Sequence, residues 1–387
     1  MFIIFLVTFI GLMGFGIILP LFPFYAERLG AGPEIITLSM AFFSVGQFIA
    51  APFWGRVSDS IGRKKVLVIT LFGSAISYII LAFAPTIMMV ILSRILSGFM
   101  AGNISIAFAY VTDITNNENR AAGLGKVSAG LGLGFMTGPA IGGFLAGNDV
   151  ANANYILVAL SGAGINLIAI FATIFFLKES LPMEDRKPFG SVLNIFEKGT
   201  FSPEKAIVPL IICGLIFYTA MSLMEAIFPL WSNNIFDYGP TNIGYVFFLL
   251  GFIGIIVQGV LIGPMTKIAG ERKLVQIAAI CVALGLTLIG LSSETLILWV
   301  GLFFYGLGAA IFNPSLSSLI SKSAKPYERG KFLGQYQSAS AMGRIIGPAF
   351  SGVLYANFIA SAPLYVGAIV VLPIILVIAN FALRKPI

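Results

Sequence analysis

A single carboxylate, Glu225, lies inside the apolar run YTAMSLMEAIFPLW, and an arginine, Arg94, lies inside ILSRILSGFM. A charge within a membrane-length apolar run costs roughly 2.5 kcal/mol or more at its centre, and by default marks an ion or substrate path. Glu225 stands alone among the second-half acids, since Asp237, Glu294 and Glu328 fall in loops. A carboxyl withdrawn from water can take up a proton and release it when the site rehydrates. It can equally pair with a cation, so one acid can serve proton and substrate in turn; a structural acid bonded to a neighbouring helix is the alternative. Arg94 sits about a third of the way into its run, far from the basic end, which makes snorkelling awkward. It is read as a group that interacts with, or replaces, the coupling ion. Arg344, between Gly343 and Gly347, can reach either a carboxylate at the basic end or a central cavity. Histidine is absent, so proton chemistry falls to carboxylates.

Three further patterns carry chemistry. In GRVSDSIGRKK, Asp59 and Arg63 are four apart, and Asp113 in AYVTDIT supplies another acid on the same side; a solvated basic turn is the plainer reading. In GFMTGPAIGG, Gly134, Gly138 and Gly142 fall on one helix face, where missing side chains admit a close neighbour. Pro139 removes a backbone hydrogen bond in that helix. GRIIGPAFSG nearly repeats the pattern at Gly343, Gly347, Pro348 and Gly352. Around Glu225 and in matching runs, Phe217, Tyr218, Met221, Met224, Phe304 and Tyr305 are candidate cavity residues, with polar Gln47, Asn103, Gln258 and Asn313. Aromatic and methionine surfaces bind diverse apolar cations, although packing alone explains most of the 35 phenylalanines. The two cysteines, Cys213 and Cys281, indicate no disulfide framework or metal site. No nucleophile–base pair or P-loop lysine motif is present, so ATP is not expected to drive the protein directly.

These residues need membrane-spanning helices to position them. Only 10% of the 387 residues are charged and 58% are hydrophobic, against roughly 25% charged in a soluble domain. Apolar runs of about 20 residues, enough to cross a ~30 Å hydrocarbon core, recur from end to end. An all-α membrane protein follows, with about twelve spans expected at 2–25, 36–54, 66–84, 87–112, 122–146, 154–177, 206–231, 241–262, 274–291, 296–320, 332–356 and 362–382. The first run has no basic segment ahead of it and reads as a span rather than a signal peptide. Of the 23 lysines and arginines, all except Arg28, Arg94 and Arg344 fall in one alternating set of loops, at the adjoining span end (Lys126) or in the C-terminal tail. The positive-inside rule makes that side, and both termini, cytoplasmic. The net charge of +7 is then lipid topology rather than nucleic-acid binding. A polar linker, 179–205, separates two six-helix bundles, 1–178 and 206–387. Pro20 and Pro229, Arg120 and Arg329, Gly125 and Gly334, Gly134 and Gly343, and Pro139 and Pro348 all share one interval of 209 positions. Transporters are commonly built from such repeats.

With these motifs, the whole sequence resembles the major facilitator superfamily, and within it the twelve-span drug:proton antiporters of the multidrug and tetracycline efflux kind. GRVSDSIGRKK resembles that superfamily's loop between spans 2 and 3, RILSGFMAG its span-4 motif, and GFMTGPAIGG its span-5 antiporter motif. The resemblance implies a gating charge relay of Gly55, Asp59, Gly62, Arg63, Asp113 and Arg120. It implies proton coupling through Glu225 and Arg94. The antiporter motif maps to Gly134, Gly138, Pro139, Gly142 and Gly143, with Gly343, Gly347 and Pro348 opposite. Ser60 stands where the family has a basic residue, and GPMTKIAGERK in the second half has lost the aspartate, so the first half is expected to carry the latch. In the repeat, the two glycine faces are expected to pack against the opposite half. The expected protein is a monomer in the cell membrane that uses the proton gradient and no cofactor to expel small amphipathic, cationic compounds. A lipid or lysolipid flippase, or an uncoupled metabolite facilitator, are the alternatives.

Overall fold

The computed structural model describes residues 2–116, 119–186, 207–324 and 328–383. Among these, all regular structure is helical. The α-helices are α1 (Phe2–Ile18), α2 (Phe22–Arg28), α3 (Pro33–Ile61), α4 (Arg63–Ala82), α5 (Ile87–Met100), α6 (Asn103–Ile114), α7 (Arg120–Ala146) and α8 (Tyr155–Phe176). They continue with α9 (Val208–Phe236), α10 (Pro240–Ile256), α11 (Ile262–Leu291), α12 (Thr295–Ser323), α13 (Arg329–Asn357), α14 (Ala362–Val371) and α15 (Pro373–Leu383). Lys187, Lys198, Lys205, Lys325, Arg384 and Lys385, most of the expected linker, and the side chain of Arg120 lie outside the described residues.

Each expected span falls on a helix or on two helices joined at a break. Span 1 is α1 and α2, bent by 40° around Pro20. Span 4 is broken at Ala101 and Gly102, where the Trp54 indole donates to the Phe99 carbonyl at 2.8 Å. Among the described residues, nine helical stretches are long and apolar enough to cross a membrane, or ten with the bent pair. The difference from twelve has two physical sources. Pro240–Leu291 is one 52-residue stretch holding two expected spans, which turn at Gly270, where φ is +73°. Helix α13 carries Gln335, Gln337, Ser338, Ser340 and Arg344, which lower its hydropathy. Large apolar side chains such as Phe72, Phe144, Phe171, Phe176 and Leu296 are exposed, as a lipid-facing surface requires.

The chain forms two compact units. Unit 1 is Met1–Ala31, Phe42–Glu197 and Tyr238–Phe248; unit 2 is Gly32–Ala41, Lys198–Asp237 and Leu249–Ile387. In unit 1, α1 lies along α7 and α8, and α4 packs on α8 and α5. In unit 2, α9 lies along α13 and α14, and α11 packs on α12 and α14. The same pairing thus recurs at the same places in each repeat. Unit 1 buries Ile4, Val7, Trp54, Leu67, Ile106 and Val127 in one cluster. Unit 2 buries Phe217, Phe228, Trp231, Leu286, Phe312 and Phe332.

Candidate functional site

Glu225 occupies the middle of α9 in unit 2. Its carboxylate is hydrogen-bonded to the Tyr305 hydroxyl of α12 and is held electrostatically by the Arg344 guanidinium of α13. The same hydroxyl lies 3.4 Å from the Met221 carbonyl, one turn back along α9. Arg344 stands 4.8 Å over the Tyr218 ring, a cation–π geometry. Three helices therefore converge on one acid. Arg344 is thus placed near the interior acid of its own unit. Phe217 stacks on Phe312 at 3.5 Å between centroids, while Phe217, Met224 and Tyr305 are fully buried in the interior of the unit. Phe304 is half-buried beside Phe303. Asn313 accepts from the Tyr336 hydroxyl at 2.8 Å, and Tyr336 bonds Tyr218 in turn. Tyr336 escaped the sequence reading. Its signal was the polar stretch GQYQSAS within a run expected to be apolar.

Arg94 is placed on α5 in unit 1, 4% exposed. It lies over the Phe22 ring at 5.3 Å and interacts with Tyr78. Asn103 is buried next to Gly11, Gln47 is half-buried on α3, and Gln258 is exposed on the π-turn Val257–Leu261.

The span 2–3 motif is a closed ionic cluster. Arg63 reaches Asp59 at 2.5 Å and Asp113 at 3.0 Å, and donates to the Ser58 hydroxyl at 2.5 Å and the Gly55 carbonyl at 3.5 Å. Glu179 was missed in the sequence, being placed at the start of the linker. Its carboxylate accepts from the Arg63 backbone N–H at 2.8 Å and so caps α4; Arg186 lies 3.8 Å from it. Gly62 makes this possible, with φ at +105° and a Cβ position that would overlap the Glu179 carboxylate. Ser180 adds a bond to Asp113 at 3.0 Å.

The second-half loop has not simply lost its cluster; its signs are reversed. Gly270 matches Gly62, and both have positive φ. At the positions of Asp59, Arg63 and Asp113 stand Lys267, Glu271 and Lys322. Glu271 pairs with Lys322 and accepts from Ser318 at 3.1 Å. The Lys322 ammonium beside it holds the Glu271 carboxyl below its usual range. The second half thus carries an ion pair of its own at the place matching Arg63 and Asp113.

The glycine motif meets its expectation only in part: Gly143 faces Pro240, Thr241 and Gly244 from the second half of the chain, whereas Gly134, Gly138 and Gly142 face a helix of their own half. A Cβ on Gly138 would lie 2.6 Å from the Met13 carbonyl, and Gly134 and Gly142 meet the same helix, α1, within their own unit. Gly343 and Gly347 meet α9 in the same way. The small faces are filled by the adjacent helix of the same repeat, because close backbone approach is what removing Cβ permits. Pro139 packs on Gly16 of α1. Pro348 lies within α13. At the next turn the pattern changes. The Thr241 hydroxyl donates to the Gly143 carbonyl at 2.9 Å, and the Gly352 N–H donates to the Thr37 hydroxyl at 3.1 Å. Gly143 and Gly352 are counterparts in the repeat, and each meets a threonine near the start of a span.

A family model described as Major Facilitator Superfamily matches residues 4–261 and 210–387. The sequence is 29% identical over 353 residues to multidrug resistance protein 2 of Bacillus subtilis, covering 90% of this chain and 86% of that protein. It is 25% identical over 396 residues to the class H tetracycline resistance protein of Pasteurella multocida, covering 99% and 96%. The crystal structure of the human organic anion transporter MFSD10 (TETRAN) superposes with a TM-score of 0.74 at 23% identity, covering 97% of this chain and 98% of that one, which shows a shared fold.

Proposed function

The chain belongs to the Major Facilitator Superfamily, a membrane transporter and not an enzyme, and we propose that it exports amphipathic, drug-like compounds in exchange for protons by alternating access. Multidrug and tetracycline resistance proteins among its relatives support the export direction. The observation that carries proton coupling is Glu225, a lone acid within α9 shared between the Tyr305 hydroxyl and the Arg344 guanidinium. Protonation removes the attraction to Arg344 and leaves the tyrosine as its partner. Deprotonation restores a charge that can pair with a cationic substrate, so proton and substrate compete for one acid. Arg94 is a buried positive charge in unit 1, available to whatever ion or substrate group enters. The protein acts as a monomer in the cell membrane, with the basic loops and both termini in the cytoplasm, and draws on the proton gradient alone.

In inverted vesicles, Glu225→Gln is expected to abolish efflux driven by an imposed pH gradient while leaving the protein folded. Full pH-driven efflux by that variant would overturn proton coupling through Glu225.

A further inference from the structure

Arg94 leaves one edge of its guanidinium unused. Its Nε and Nη2 are buried and have no hydrogen-bond partner. These two nitrogens form a single edge, the one that presents parallel N–H donors to two oxygens of one oxyanion. One ring, Phe22, lies 5.3 Å from the guanidinium carbon. The Tyr78 phenol, bonded to Ser97 one turn along α5, is its polar neighbour. Asn166 is 2% exposed, and a Cβ on Gly14 would meet both its amide, at 3.0 Å, and the Tyr78 hydroxyl, at 3.4 Å. Donors from α4, α5 and α8 thus gather in the core of unit 1.

Unit 1 supplies no counter-ion among the described residues. Asp59 and Asp113 pair with Arg63, and Glu179 caps α4 beside Arg186. Asp149 is bonded to Asn152 at 2.6 Å, and Glu27 and Glu184 are exposed. A buried guanidinium without a partner is unfavourable, because its desolvation is uncompensated. A planar fork, unlike a lysine ammonium, matches a carboxylate or phosphate with two parallel bonds. Phe22 also borders a small cavity with Ile18, Tyr25, Leu81 and Tyr155, so the ring under the guanidinium belongs to an apolar lining.

We infer that the Nε–Nη2 edge of Arg94 binds the oxyanion of a transported amphiphile, an acidic group on an apolar or aromatic body. The inference rests on the chain being a transporter of amphiphiles and refines the substrate class: the compounds carry an acidic group besides any cationic one that Glu225 takes. Two sources share this chemistry, a soluble aryl carboxylate and the phosphate of a lysolipid.

The test is ligand-dependent thermal unfolding of purified protein without a pH gradient, so its outcome is independent of proton coupling in vesicles. The probes are 1-naphthylacetate, its neutral amide 1-naphthylacetamide, and lysophosphatidylglycerol. The wild type is expected to bind at least one acidic probe about tenfold or more tightly than the amide, the scale of one charged bidentate contact. Arg94→Gln is expected to lose that preference with its amide response unchanged. A preference for the aryl acid assigns a soluble substrate; a response confined to lysophosphatidylglycerol, lost in Arg94→Gln, assigns a lipid head group. Should Arg94→Gln not fold, Arg94→Lys carries the test, with acid affinity reduced at least about threefold and amide affinity unchanged, since lysine lacks the fork. Equal responses to acid and amide, no response to any probe, or undiminished acid preference in the variant that folds would overturn the inference.

Discussion

Gly62 and Gly55 belong to the same motif but carry different burdens. Gly62 has φ at +105° and the Glu179 carboxylate where a Cβ would stand, whereas nothing lies within 4 Å of a Cβ on Gly55 inside α3. Gly62→Ala should therefore cost about 1–3 kcal/mol, the range for side chains forced into a glycine-only conformation. Gly55→Ala should be neutral or stabilising by up to about 1 kcal/mol, as helix propensity dictates. Thermal unfolding of the two purified variants distinguishes them, and equal effects would deny the local explanation. Glu271 gives a pH-dependent counterpart. Lys322 holds its carboxyl below the usual value, so the pair's contribution is present above the ordinary glutamate range near ~4.3 and fades as pH falls through the lower folded value. The stability difference between wild type and Lys322→Gln is thus expected at pH 7 and should shrink as the pH drops below about 4. A difference constant with pH would show that Lys322 acts by packing alone.

At the scale of elements, the glycine faces bind α7 to α1 and α13 to α9, which changes what a bulky substitution does. A glycine face packed only on the opposite half, as expected from the sequence, would let Gly138→Leu stop transport in an otherwise folded protein. With the Met13 carbonyl 2.6 Å from the Cβ position and the Gly16 Cα at 3.0 Å, leucine must instead push α1 from α7. Overpacking of this kind costs about 1–3 kcal/mol. The variant should show a lower melting temperature along with lost transport, and transport lost at unchanged stability would restore the original reading. The ionic clusters at the ends of α4 and α11 show a related point. Arg63 with Asp113, and Glu271 with Lys322, occupy matching positions with opposite signs. The repeat preserved a tie between neighbouring spans while exchanging the charges that make it. A motif search for aspartate and arginine could not find the second copy, because it looked for residue types rather than for complementary charge.

Taken as a whole molecule, the repeat is paired with an exchange of short segments. Unit 1 includes Tyr238–Phe248 from the second half of the chain, and unit 2 includes Gly32–Ala41 from the first. Each half expressed alone therefore lacks turns that complete its unit, including the Thr241 bond to Gly143 or the Thr37 bond to Gly352. A chain cut within 187–206 should purify as a co-expressed pair that melts as one species, with residues 1–205 alone less stable; an isolated half as stable as the pair would contradict this. The sequence by itself determined the helical class, the spans, the repeat, the basic face and the identity of the interior charges Glu225, Arg94 and Arg344. These follow from hydropathy and charge patterns that act locally and add along the chain. Tertiary structure alone decided the partners: Arg344 and Tyr305 for Glu225, Glu179 for Arg63, Lys322 for Glu271, α1 for the glycine face, and no partner for one edge of Arg94. Glu225 to Arg344 and Arg63 to Glu179 span more than a hundred residues. At that separation no local pattern constrains the pairing, and only the packed helices bring the charges within reach.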